Sequence, residues 1–186
     1  KIKIISDSAS NVYSIPEEDY VSVPMKIVTD QKEYVDTPDL DVRQMVEELR
    51  AYKGRSGTAC PNHGDWLEAF GKDEFIICIT ITGKLSGSYN AARLAKEEYE
   101  ERKVFVLDSL SAGPEMHLLI EKIEQLRETE SNFETICEKI QEYSNHIAML
   151  FALESMKNLA NNGRISPAAA KIAGVLGIRA IGKAQD

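Results

Sequence analysis

Apolar residues recur along this chain in two rhythms. Short, nearly unbroken runs occur at Ile2-Lys3-Ile4-Ile5, Tyr20-Val21-Ser22-Val23, residues 75–81, Val104-Phe105-Val106-Leu107 and Ile147 to Leu153, and such runs predict buried strands. Met25-Lys26-Ile27-Val28 follows the second run directly. Between the runs lie stretches with helical spacing. Thr37-Pro38 predicts an N-cap with proline at the first helical position, and Val42, Met45, Val46 and Leu49 then mark an amphipathic helix over residues 38–53. Asn62 is placed to cap a short helix through Trp66, Leu67 and Phe70. A helix is predicted from Ser88, another after Gly113-Pro114 with Leu118, Leu119, Ile123 and Leu126 inward, and a third capped by Ser131-Asn132 with the stripe Phe133, Ile136, Cys137 and Ile140.

Strands alternating with helices of 10–15 residues predict an α/β fold, a parallel sheet with helices on both faces. In open parallel sheets, ligands bind outside the carboxyl ends of the strands. Three of the predicted strands end at Asp7, Thr82 and Asp108, each in a turn rich in Ser, Thr or Gly. The richest of these turns is Gly83-Lys84-Leu85-Ser86-Gly87-Ser88, between the strand at 75–81 and the helix that follows. A small-residue loop feeding a helix N-terminus is suited to an anion, through outward backbone N–H groups, the helix dipole and the hydroxyls of Ser86 and Ser88.

Past residue 146 the pattern changes. Ser155 is placed to cap a short helix, Asn161-Asn162-Gly163-Arg164-Ile165 reads as a turn, and Ser166-Pro167 opens a helix that Gly177 would end before a strand at Ile178 to Ile181. The expected division is an α/β domain over 1–146 and the start of a smaller α+β C-terminal domain over 147–186, incomplete in this chain.

Composition narrows the function. With 30 acidic against 22 basic residues the net charge is −8, which argues against nucleic acid or an anionic membrane as main partner. No apolar span of membrane length is visible. Cys60, Cys78 and Cys137 are odd in number and form no C-x-x-C pair, so neither a disulfide framework nor a zinc cluster is expected, and a reducing cytoplasm fits. No metal, cofactor or catalytic residue is expected.

Enzymatic readings of the serine loop find little support. The elbow pattern G-x-S-x-G is missed, because Gly83-Lys84-Leu85-Ser86-Gly87 puts the serine one place off, and none of His63, His117 and His146 stands out as its base. Asp7 and Asp108 are either metal ligands or caps of their own turns. Neither phosphate-binding glycine pattern is present. Read blandly, Ser86-Gly87-Ser88 is a strand-to-helix turn, Thr58 a turn residue before Pro61, and Arg164 a solvated side chain. Three readings stay open: a binding protein, an enzyme acting on a small phosphorylated or acylated substrate at the same edge, and an interaction subunit.

The ordered set of segments resembles the DegV family of bacterial lipid-binding proteins. It comprises Ser6-Asp7-Ser8-Ala9-Ser10, Val23-Pro24 with Tyr34-Val35-Asp36, Thr58-Ala59-Cys60-Pro61-Asn62, Leu85-Ser86-Gly87-Ser88-Tyr89, Val106-Leu107-Asp108-Ser109, and Glu154-Ser155 through Asn162-Gly163-Arg164-Ile165. The resemblance implies a fatty acid held between two domains and presented to a separate ATP-dependent kinase that makes acyl phosphate. It implies Thr58 and Ser86 as carboxylate ligands; Gly87, Ser88, Cys60 and Pro61 are then the supporting loop residues, and Arg164, read as exposed on its turn, is a candidate contact for the partner kinase. A histidine of the C-terminal domain usually joins them in the family, from a region beyond Asp186. Ala59 and Asn62 depart from the serines of the family's first turn, so hydrogen bonds from those two positions are not carried over.

Overall fold

The computed structural model describes residues 1–16, 19–99, 102–175 and 179–183. In chain order the strands and helices are β1 (Ile2–Asp7), β2 (Tyr20–Val23), β3 (Lys26–Val28), β4 (Glu33–Val35), α1 (Val42–Ala51), β5 (Gly57–Ala59), α2 (His63–Phe70), β6 (Phe75–Thr80), α3 (Ser88–Glu97), β7 (Lys103–Asp108), α4 (Pro114–Thr129), α5 (Phe133–Ser144), β8 (Leu150–Leu153), α6 (Lys157–Asn161), α7 (Pro167–Val175) and β9 (Ala180–Lys183).

The fold is α/β. Four strands form a parallel sheet in the order β2-β1-β6-β7. Its centre is β6, where Ile76, Ile77, Cys78 and Ile79 have no exposed surface. Alternation divides them between two cores, as strand geometry requires. Ile77 and Ile79 pack with Ile4, Leu107 and the inward faces of α4 and α5, while Ile76 and Cys78 pack with Ile5, Val23, Trp66, Phe70, Ala92 and Ala95 of α2 and α3. Helices therefore cover both faces of the sheet. Each fully buried isoleucine contributes about 1.5–3 kcal/mol.

The Phe133, Ile136, Cys137 and Ile140 stripe is buried as the spacing predicts, and Asn132 caps α5 by accepting from the Thr135 N–H at 2.8 Å. On α4 the inward set is Leu119, Ile120, Ile123 and Leu126; Leu118 is turned outward. The first predicted helix is shorter than its pattern. Thr37 and Leu40 are taken up in a turn, with the Leu40 N–H on the Thr37 carbonyl, and Asp41 caps α1 through the Gln44 N–H at 2.9 Å. Val42, expected inward, is exposed at the start of that helix.

A second sheet, antiparallel and in the order β4-β3-β5, has no counterpart in the sequence pattern. Its strands have three residues each, too few for an alternation to stand out. It moves Thr58 from a turn into β5, paired with Ile27 of β3. β8 and β9 form a separate antiparallel pair, and α6 and α7 pack against each other. Gly177 and Ile178, the expected helix stop and strand start, lie outside the described residues.

Candidate functional site

The strand ends at the C-terminal edge of the parallel sheet are held by serine and aspartate side chains. After β1 the chain makes one 3-10 turn, Ser8–Ser10, capped by Asp7. Ser6 donates to Ser10 at 2.9 Å and shares a hydrogen bond with the Tyr20 hydroxyl at 2.7 Å, and Ser8 accepts the Met25 N–H at 3.0 Å. Asp108 at the end of β7 accepts the Gly83 N–H at 3.1 Å and the Leu110 N–H at 2.9 Å. Asp7 accepts the Ile81 N–H at 2.9 Å and the Ser88 hydroxyl at 2.6 Å. Both aspartates thus act as caps of the adjoining loops, and among the described residues no group of three metal-ligating side chains forms.

Burial pushes the Asp7 carboxyl up to about 6, against the opposing pull of hydrogen bonds from Ser88, Ile81 and Ala9. Burial, and after it the Asp7 charge, also drives the Cys78 thiol well above its usual range, so Cys78 is a core thiol.

The Ser86 loop is built on this frame. Leu85 and Ser86 send their N–H groups to the Thr82 carbonyl, at 3.1 and 3.2 Å. The Thr82 N–H is itself held by the Ser111 carbonyl at 2.8 Å. Ser86 is half-buried, and its Oγ accepts the Ser88 N–H at 3.3 Å. Helix α3 begins at Ser88 with Gly87, which has no side chain to offer, as its cap residue. Ser88 is fully buried and turns its hydroxyl inward to Asp7, so it supports the loop from beneath.

Two other segments meet this loop. The first is β5 and the stretch to α2. A Cβ added to Gly87 would lie 3.3 Å from the Cys60 sulfur, so the Cys60 side chain packs closely against the loop at Gly87. Pro61 is buried behind Cys60. Asn62 is engaged in a capping box with Asp65, accepting its N–H at 3.1 Å while the Asp65 carboxylate accepts the Asn62 N–H at 2.7 Å. Its departure from the family's serine therefore leaves the helix start intact.

The second segment is the turn Asn162-Gly163-Arg164, with Gly163 at φ 72°. Asn162 donates to the Ser56 carbonyl at 3.3 Å. Arg164 donates from Nε to the Leu85 carbonyl at 3.0 Å and from Nη2 to the Thr58 hydroxyl at 3.1 Å. Thr58, the Ser86 loop and Arg164, far apart in sequence, are thereby gathered at one place. Nothing local in the sequence distinguishes Arg164 from a solvated turn arginine; only the long-range pairing brings it here.

The chemistry available is that of a small anion holder. A hydroxyl has one proton and two acceptor sites. Both Thr58 and Ser86 already accept from protein donors, which leaves their own protons to be donated outward. The Arg164 guanidinium and the N-terminus of α3 stand beside them. The histidines are engaged elsewhere: His63 with Glu98 at 2.9 Å, His117 with Glu121 at 3.3 Å, and His146 with the Glu142 carbonyl at 2.8 Å. No base of a serine triad is among these contacts.

Fold and site together define a parallel α/β domain with a serine-rich loop at its strand ends. The family model described as "Uncharacterised protein, DegV family" matches residues 1–186, and the chain belongs to that family. A DegV domain-containing protein of Streptococcus pneumoniae strain R6 is 40% identical over 192 residues, covering 99% of this chain and 68% of the relative. Among solved structures, the Streptococcus pneumoniae Fatty Acid Kinase (Fak) B3 protein, loaded with linoleic acid, is 40% identical with a TM-score of 0.93. A DegV family protein from Eubacterium eligens, loaded with heptadecanoic acid, is 40% identical with a TM-score of 0.92. Each of these two structures is matched over 100% of this chain and 69% of its own. The chain thus spans about two thirds of the length of these relatives.

Proposed function

We propose that this protein is a fatty-acid-binding carrier, the binding subunit of a fatty acid kinase system rather than the kinase. Thr58 and Ser86 donate to the ligand carboxylate, with Gly87, Ser88, Cys60 and Pro61 shaping the loops around it. The observation that carries this reading is the pair of hydroxyls, each already accepting from the protein and so left to donate, beside the Arg164 guanidinium. The ligands held by the two 40%-identical structures, linoleic and heptadecanoic acid, supply the chemical class.

Magnitudes divide the labour. Burying a chain of about 16 carbons is worth on the order of 0.8 kcal/mol per CH₂, roughly 12 kcal/mol before the losses of association. Hydrogen bonds to the charged head add about 1.5–3 kcal/mol each. The acyl chain therefore sets affinity, and the head-group loops set orientation and head-group type. The chain lies between the domain of residues 1–146 and the domain begun by 147–186. The bound acid is then presented to an ATP-dependent kinase, with Arg164 at the edge of that encounter.

Mass spectrometry of an organic extract of the purified protein should find close to one equivalent of fatty acid. Finding none, with no uptake of added palmitate or oleate, overturns the carrier reading. Adding the kinase and ATP to the loaded protein should yield acyl phosphate.

A further inference from the structure

Asp7 has no exposed surface, yet it touches the head-group loop at both ends. Its Oδ2 accepts the Ile81 N–H at 2.9 Å and the Ser88 hydroxyl at 2.6 Å, and its Oδ1 accepts the Ala9 N–H at 3.3 Å. Ile81 is the first residue after β6 and Ser88 the first of α3, so a single oxygen closes the loop like a clasp. The titratable groups that feel its charge are the Tyr20 phenol of β2 and the Cys78 thiol of β6, and Val23 of β2 pairs with it across the sheet. Asp108 of β7 holds Gly83 inside the same loop. Among these the charge of Asp7 meets hydrogen-bond donors but no cation. Burying a carboxylate in this way is unfavourable unless its donors compensate.

We propose that Asp7 is the positioning residue of the 81–88 loop: ionised, it fixes Ile81 and Ser88 together, so that Ser86, held by the Ser88 N–H, presents its hydroxyl to the ligand. This deepens, and rests on, the reading of Ser86 as a head-group ligand. Protonating Oδ2 makes that oxygen a donor. The Ile81 N–H then loses a charged acceptor, and the Ser88 hydroxyl has to reverse its own proton. Acid thus loosens the loop from beneath without touching the ligand's own contacts.

The test is amide hydrogen exchange of the ligand-free protein at pH 7.5 and pH 5, expressed as protection factors, for wild type and Asp7→Asn, together with oleate affinity at pH 7.5. The variant should lose about tenfold protection across 81–88 and bind oleate about tenfold more weakly, while β6 and β7 amides keep theirs. Wild type should lose the same loop protection between pH 7.5 and pH 5, and the variant should show no such pH dependence. Wild-type loop protection in Asp7→Asn, or a loss spread evenly over the sheet, overturns the proposal. If Asp7→Asn does not fold, Ser88→Ala, which removes the same contact from the other side, decides by the same measurements at pH 7.5. If wild type itself takes up no oleate, the head-group reading fails, and the loop protection still decides the role of Asp7.

Discussion

Arg164 donates to the Thr58 hydroxyl at 3.1 Å across 106 positions of sequence. The same guanidinium holds the Leu85 carbonyl at 3.0 Å, so one side chain staples β5 to the Ser86 loop. The planar fork of arginine makes this two-point contact possible, and lysine has no equivalent. Arg164→Lys should therefore weaken fatty-acid binding nearly as much as Arg164→Ala, by about tenfold, if one charge-assisted bond of ~1.5 kcal/mol is lost at the head group. Arg164 is exposed, so the melting temperature should move little. Titration calorimetry with oleate checks this, and unchanged affinity in both variants removes Arg164 from the site.

Ser86→Ala and Thr58→Val should each weaken binding of the free acid by about tenfold to a hundredfold, since each loses one donor to a charged carboxylate. The methyl ester of the same acid carries no charge and depends on the acyl chain, so its affinity should barely change. Displacement of a fluorescent fatty acid separates the two ligands. Equal losses for acid and ester would mean that the substitutions disturb the pocket as a whole.

Asn62 gives a stability prediction in the same region. Its capping box satisfies donors at the start of α2, so Asn62→Ala should cost about 1 kcal/mol, whereas Asn62→Ser should retain most of the cap. Urea denaturation measures both. Oleate affinity should stay near wild type, because the Asn62 side chain is occupied by Asp65 and not by the loop.

The parts of this fold carried by long apolar runs could be read in advance. β6, β7 and the α5 stripe lie where the pattern puts them, and Asn62 and Asn132 cap the helices expected of them. The antiparallel sheet could not be read, because β3, β4 and β5 are each three residues long and are specified by pairing rather than by their own pattern. For the same reason the local sequence around Thr58 reads as a turn. Leu118 shows the limit of helical spacing: it lies beside Leu119, and only packing against the sheet decides which of the two is inside. The Ser86 loop was legible as a loop, since its small residues follow a buried strand. Its support by Asp7 and its staple by Arg164 are contacts at separations of 81 and 79 positions, beyond any local signal.

The last prediction concerns pH. Burial raises the Asp7 carboxyl from its ordinary 3.8 to about 6 in the folded protein. In the unfolded chain it titrates at the ordinary value, so between these two pH values the folded state binds more protons than the unfolded one. Stability contributed by this group is therefore full below about pH 4, falls as pH rises through the window, and is lost above about pH 6; the difference is about 3 kcal/mol. Glu48 runs the other way. The Lys32 ammonium above all, then Tyr34 and Gln44, hold it down to about 2, so its contribution is lost only as pH falls below the usual carboxylate range. The two windows barely overlap, and Asp7→Asn leaves Glu48 untouched. Urea denaturation of wild type and Asp7→Asn at intervals from pH 4 to pH 8 should show wild type gaining on the variant as pH falls from 7 to 4. A constant gap across that range would mean that Asp7 does not titrate there. A carboxylate that weakens the fold at neutral pH, while holding both ends of the 81–88 loop, is better explained by the loop it positions than by the stability of the sheet.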